Sequence, residues 1–168
     1  VKELFDVVPK VFRNTELAYN DELAQWADAK GYSGILAEGW DPVLDWRSPN
    51  FVYKPEGTEN IALLLKNYHL SDDLAFRFSN RTWSEWPLTA DKYTQWVNDS
   101  ISEQPLLNLF MDYETFGEHQ WADTGIFEFF EEFVDRWLSD KNNTFYTVSE
   151  AIAANEPKET LSMPSTIT

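Results

Sequence analysis

Short apolar runs alternate along this chain with longer segments of helical periodicity. KVFRNTE (10–16), SGILAEG (33–39), NIALLLKNY (60–68), PLLNLFMD (105–112) and TFYTV (144–148) predict five strands. NDELAQWADAKG (20–31) predicts a helix: Asn20 can cap it, acids fill its first turn, and Lys30 and Gly31 close it. SDDLAFRF (71–78) opens like a helix with Ser71 as its cap. TADKYTQWVNDSIS (89–102) has apolar positions at 90, 93, 97 and 101, a helical spacing. In DTGIFEFFEEFVDRWLSD, positions 126, 127, 130, 133, 134, 137 and 138 trace a helical stripe. A last helix follows through SEAIAAN, and Thr147 and Glu150 have the spacing of a capping box.

Strand and helix alternating in this way imply parallel strands joined by helical crossovers, an α/β sheet or barrel. Near-continuous apolar strands fit a sheet covered on both faces. Five strands are too few to close a barrel of eight βα units, so the pattern predicts an open sheet or part of a larger barrel. The tail NEPKETLSMPSTIT has two prolines and no periodicity. Residues 1–155 therefore read as the folded domain and 156–168 as a linker or boundary.

Composition narrows the partners. The net charge of −16 repels phosphate backbones, so nucleic acid is not an expected partner. No apolar run approaches the roughly 20 residues of a membrane span, and no basic, apolar leader opens the chain. A cytoplasmic location is the expectation, although the opening VKELFDVVPK lacks Met and is compatible with a lost leader. The absence of Cys excludes disulfides, thiolate metal sites and a Cys nucleophile. Eight Trp, seven Tyr and twelve Phe supply a large aromatic core, and also flat rings on which sugar faces can stack.

The candidate chemistry lies at strand ends, where parallel α/β folds carry their active residues. SGILAEGWDP delivers Glu38, with Asp41 behind it. LLNLFMDYETFGEH delivers Asp112, with Glu114 on the same face if the chain stays extended. A third run ends in Arg13 and Glu16, which can pair with each other. Carboxylates on neighbouring strand tips suit glycoside hydrolysis, one as nucleophile or base and the other as general acid. With 29 acids in the chain some fall at strand ends by chance, so each also has a purely structural reading. Asp112 follows a largely apolar run, so partial burial is expected; burial would raise its carboxyl pKa, as an acid needs. Asp72, Asp73 and Arg77 lie on one short helix start, where an ordinary N-terminal charge preference explains the acids.

ILAEGWDPVL and LFMDYETFGEHQW resemble the nucleophile and proton-donor motifs of glycoside hydrolase family 57, the α-amylase and 4-α-glucanotransferase family. FRNTEL, LSDDLAFRFS and YTVSEAI are similar to its amylase-type members, in the same order. The resemblance implies a (β/α)7 barrel and retaining cleavage of α-1,4-glucans without a cofactor. It carries Glu38 as nucleophile and Asp112 as acid/base. The family's His-Gln-Pro signature, its opening strands and the helical region after its barrel have no counterpart here. The chain therefore reads as the C-terminal larger part of a catalytic barrel, holding about five βα units.

Around these two acids, Trp40 and Trp121 can stack on glucose rings of an α-glucan or maltooligosaccharide. Glu114 can tune Asp112 by like charge or bind a sugar hydroxyl. His119 can hydrogen-bond substrate or orient its loop. Two rival readings stand beside this one. A metal-dependent polysaccharide deacetylase would need more histidines than His69 and His119, and no metal site is expected. An inactive fragment would only bind carbohydrate. An incomplete barrel would also expose a sheet edge, which invites pairing with a second copy.

Overall fold

Three of the five anticipated strands form in the computed structural model, which describes residues 1–168. The strands present are β1 (Val11–Arg13), β2 (Gly34–Glu38), β3 (Lys54–Pro55), β4 (Ala62–Lys66) and β5 (Thr160–Leu161). The helices are α1 (Lys2–Phe5), α2 (Asp21–Ala29), α3 (Asp41–Leu44), α4 (Tyr68–Asp72), α5 (Ala90–Ile101), α6 (Ile126–Ser139) and α7 (Val148–Ala154). The chain divides into two units, residues 1–66 with 146–168, and residues 67–145.

The first unit is an α/β layer. A parallel sheet runs in the order β1-β2-β4, with Gly34 opposite Ala62 and Glu38 opposite Lys66 at the two ends of the β2–β4 ladder. Ala62, Leu63, Leu64 and Leu65 are all buried, which explains why this strand reads as a continuous apolar run. Helix α2 starts where the Asn20 side chain accepts a hydrogen bond from the Leu23 N–H at 2.9 Å. It turns the small, fully buried Ala24 and Ala27 into the core with Ile35, Ala37, Leu63 and Leu65. Helix α7 begins with the anticipated capping box. Glu150 accepts from the Thr147 N–H at 2.8 Å, and Thr147 Oγ1 accepts from the Glu150 N–H at 3.3 Å.

The segment 156–168 is part of this core, unlike a linker. β5 pairs with β3, Tyr19 and Ile167 exchange two backbone hydrogen bonds of 2.9 Å, and Leu161, Met163 and Ile167 are buried. The Asp21 carboxylate accepts from the Ser162 hydroxyl and the Met163 N–H, each at 2.8 Å. Absence of periodicity hid this. A two-residue strand and one isolated bridge along the core edge bury Leu161, Met163 and Ile167 at unequal spacing, without a repeating pattern. Each such aliphatic side chain contributes about 1.5–3 kcal/mol by burial.

The second unit is helical. Thr89 caps α5, and α5 packs on α6 around Tyr93, Val97, Ile126, Phe129, Phe133 and Trp137. Tyr93 meets Phe133 edge-on at a ring distance of 5.0 Å, and its hydroxyl donates to the Leu70 carbonyl at 2.8 Å. The seam of α6 is narrower than the anticipated stripe. Phe129 joins it, while Phe127, Phe130 and Leu138 are exposed beside it. The helix expected at 71–78 begins earlier: Asn67, not Ser71, caps α4 by accepting from the Leu70 N–H at 3.2 Å. Ser71 lies inside α4, which runs on into a π-turn over Asp73–Arg77.

Two expected strands are missing. Residues 105–112 are extended but enter no sheet. The Asn108 carbonyl accepts from Asn67 N–H at 2.9 Å, and the Ser71 hydroxyl accepts from Phe110 N–H at 3.1 Å. Leu107, Leu109 and Met111 alternate onto the helical core, so the apolar run is explained by packing on helices rather than by a ladder. Residues 144–148 also form no strand; the Trp137 indole N–H binds the Thr144 carbonyl at 3.2 Å instead. No helix is long and apolar enough to cross a membrane.

Candidate active site

Glu38 is the last residue of β2, so its backbone is fixed by pairing with β4. Its Oε1 accepts from the Gly39 N–H at 3.1 Å, and its Oε2 faces Lys66 Nζ at 3.3 Å. The Lys66 and Glu38 side chains are 14% and 19% exposed, so the pair is largely withdrawn from water yet open at the strand tips. Gly39 is required here for space: a Cβ at this position would collide with the Lys66 carbonyl oxygen. The chain then turns into α3, with Trp40 half exposed at its N-cap. A second indole, Trp46, is 71% exposed, with the Arg47 guanidinium 4.9 Å from its ring centre.

Lys66 escaped the reading of motifs. Its signal was present: Lys66 ends the run ALLLK as Glu38 ends GILAE, and parallel strands of equal length bring their last residues side by side. Trp46 was likewise unmarked, because nothing in its neighbours distinguishes an exposed indole from a core one.

Asp112 belongs to the second unit and is set differently. It is exposed rather than partly buried, standing where the extended run ends and a turn begins. Its backbone is extended, and its carbonyl accepts from the Thr115 N–H at 3.0 Å, starting a 3-10 turn over Tyr113–Thr115. The chain therefore does not stay extended, and Glu114 reaches its place through the turn. The Glu114 carbonyl accepts from the N–H groups of Glu118 and His119 at 3.2 and 3.1 Å, and its carboxylate lies 3.5 Å from His119 Nε2. The buried Gln120 donates its side-chain N–H to the Ala75 carbonyl at 2.9 Å, tying this loop to the π-turn after α4. Trp121 and Tyr113 are exposed at the two ends of the loop.

Asp73 pairs with Arg77 at 2.6 Å at that π-turn. Burial pushes its carboxyl above the usual range, while the Arg77 guanidinium pulls the other way. No group of three or more His, Asp or Glu side chains is gathered as a metal would require. Each unit thus presents a carboxylate among exposed aromatic rings: one gripped at both oxygens, one on an exposed turn.

Glycosyl hydrolase family 57 matches residues 1–164 of the chain. A protein of Methanocaldococcus jannaschii described as "Putative alpha-amylase" is 46% identical over 158 residues, which make up 94% of this chain and 33% of that protein. The chain thus spans about a third of the length of this curated relative. The crystal structure of 4-alpha-glucanotransferase from Thermococcus litoralis superposes with a TM-score of 0.69, over 92% of this chain and 24% of that one. At 20% identity, that likeness is one of fold.

Proposed function

The chain belongs to glycosyl hydrolase family 57, and from that premise we propose that the protein cleaves α-1,4-glucans with retention of configuration. In this reading Glu38 is the nucleophile and Asp112 the acid/base. The observation that carries it is the grip on Glu38. A nucleophilic carboxylate must be ionised, ordered and partly dry, and Glu38 has an N–H on one oxygen, an ammonium on the other and little exposure.

In the first step a Glu38 oxygen bonds to the anomeric carbon as the glycosidic C–O bond breaks, and the Asp112 proton passes to the leaving oxygen. In the second, Asp112 takes a proton from water, whose oxygen attacks the anomeric carbon and releases Glu38. A sugar hydroxyl in place of that water gives transfer instead of hydrolysis. Retaining glycosidases in general carry their two carboxyl groups ~5–5.5 Å apart. Bound sugar excludes water from Asp112 and supplies the desolvation that its exposed turn lacks. Trp40 and Trp121 serve as stacking surfaces, and the Glu114–His119 pair as hydroxyl partners. Residues 1–155 are, in this proposal, the larger part of a (β/α)7 barrel completed by the rest of the natural protein.

The test is hydrolysis of maltooligosaccharides by the full natural protein and its Glu38→Gln and Asp112→Asn variants, with the product anomer followed by NMR. Retained configuration and loss of turnover in both variants are expected. Full activity in both would overturn the assignment.

A further inference from the structure

We propose that Lys66 is a positioning residue for Glu38, holding one carboxylate oxygen so that the other faces the anomeric carbon. The inference rests on the reading of Glu38 as nucleophile and adds to it the device that aims it. A glutamate has three rotatable side-chain bonds, and strand pairing fixes only its backbone. Here the partner is placed by register: Lys66 stands opposite Glu38 at the end of a ladder anchored by Ala37 and Leu65, both fully buried. The Gly39 N–H and Lys66 Nζ approach different oxygens, so whichever oxygen bonds to carbon, the other keeps a donor.

Stability alone does not account for this pair. A half-buried ion pair contributes little more than an apolar pair of similar size would, because both charges lose hydration. For a nucleophile, the same pair has a separate consequence. Held at one oxygen, Glu38 enters the attack already aimed and loses little rotational freedom as the ester forms, and the same ammonium favours the carboxylate that leaves when the ester breaks. Until then the ester carbonyl oxygen can accept the hydrogen bond.

The experiment uses the full natural protein and a 5-fluoro-α-maltosyl fluoride, which accumulates the glycosyl-enzyme, with the labelled peptide identified by mass spectrometry. Wild-type protein is expected to be labelled on Glu38. Lys66→Met is expected to be labelled about 10- to 100-fold more slowly and to lose kcat by a similar factor, with KM nearly unchanged. Lys66→Arg is expected to recover most of the rate. Labelling of Glu38 in Lys66→Met at the wild-type rate would overturn the inference while leaving the nucleophile in place. Wild-type labelling at another residue would instead overturn the reading beneath it. Should Lys66→Met fail to fold by circular dichroism, Lys66→Gln is compared in the same way; loss of fold in both would make Lys66 structural and overturn the proposal.

Discussion

Glu38 and Asp112 end two runs that look alike as sequence, GILAE and LLNLFMD, and the fold holds them in different ways. GILAE is hydrogen-bonded along both edges, to β1 and to β4, so its last side chain inherits a neighbour from the register. LLNLFMD packs on the helical core, its Asn108 carbonyl accepting from Asn67 N–H, and the Asp112 carbonyl starts the turn that follows. Strand formation is relational: apolar residues state that a segment is covered, but not whether a helix or another strand covers it. A carboxylate at the end of a paired strand is therefore aimed by the sheet, whereas Asp112 stands at the start of a turn outside it.

The sharpest test of this contrast lies in the reaction. Glu38→Gln is expected to lower kcat on every substrate by about 10⁴-fold or more, since no other group can form the ester. Asp112→Asn is expected to lose about 10²–10⁴-fold on maltooligosaccharides but far less in the first step on aryl maltosides, whose leaving group needs no proton. Equal losses on both substrate types would dissolve the distinction in role. Next in size come two glycines, Gly39 directly after Glu38 and Gly117 in the loop that follows Asp112. Gly39→Ala is expected to lower activity by about 10²-fold and to destabilise the fold by more than about 2 kcal/mol, because its methyl meets the Lys66 backbone, which cannot move without shifting β4. Gly117→Ala meets nothing closer than Phe127 at 3.6 Å and is strained only by its φ of +110°, so about 1–2 kcal/mol is expected. Thermal melts and maltooligosaccharide rates of the two variants check the ordering.

What was legible in the sequence follows the same line. α2, α5, α6 and the capping box at Thr147 are legible because each is decided by its own residues, a cap or a period, while β2 and β4 are legible as covered apolar runs whose partners happen to be strands. Ser71 and Asn67 both qualify as caps of α4, and the choice is made when the Ser71 hydroxyl is engaged by the Phe110 N–H and the Asn67 carbonyl. Residues 105–112 and 144–148 were misread as strands because their partners decide, and a pattern cannot name a partner. The tail 156–168 reads as a boundary because Leu161, Met163 and Ile167 are buried at unequal spacing, through the short β5, contacts with Asp21 and one isolated bridge to Tyr19. Within the candidate site, the carboxylates were visible through the motifs around them. Lys66 was not, since its meaning lies in the strand opposite.

Smaller effects separate loop from sheet without any substrate. Gln120→Ala removes the bond that ties the Asp112 loop to the Ala75 carbonyl and leaves that carbonyl short of a donor. A loss of about 1–3 kcal/mol in denaturant unfolding is expected, with hydrogen exchange rising in residues 113–121 and not in β2. Equal exchange gains in β2 would show that the loop and the strand tip open together.

The smallest effects are electrostatic, and they have opposite signs in the two units. Burial raises the Asp73 carboxyl, so its folded value lies above its unfolded one. Its contribution to stability is full below the unfolded value and is lost as pH rises through the folded one. Glu150 is held below its usual value by the Thr147 N–H and hydroxyl. Its contribution is present above the unfolded value and is lost as pH falls through the folded one. Melting temperatures of wild type, Asp73→Asn and Glu150→Gln, compared between about pH 7 and about pH 3, should therefore diverge in opposite directions. On acidification the wild type gains relative to Asp73→Asn and loses relative to Glu150→Gln. Parallel shifts in the two comparisons would mean that the overall charge of −16, and not local setting, governs how these carboxyls titrate.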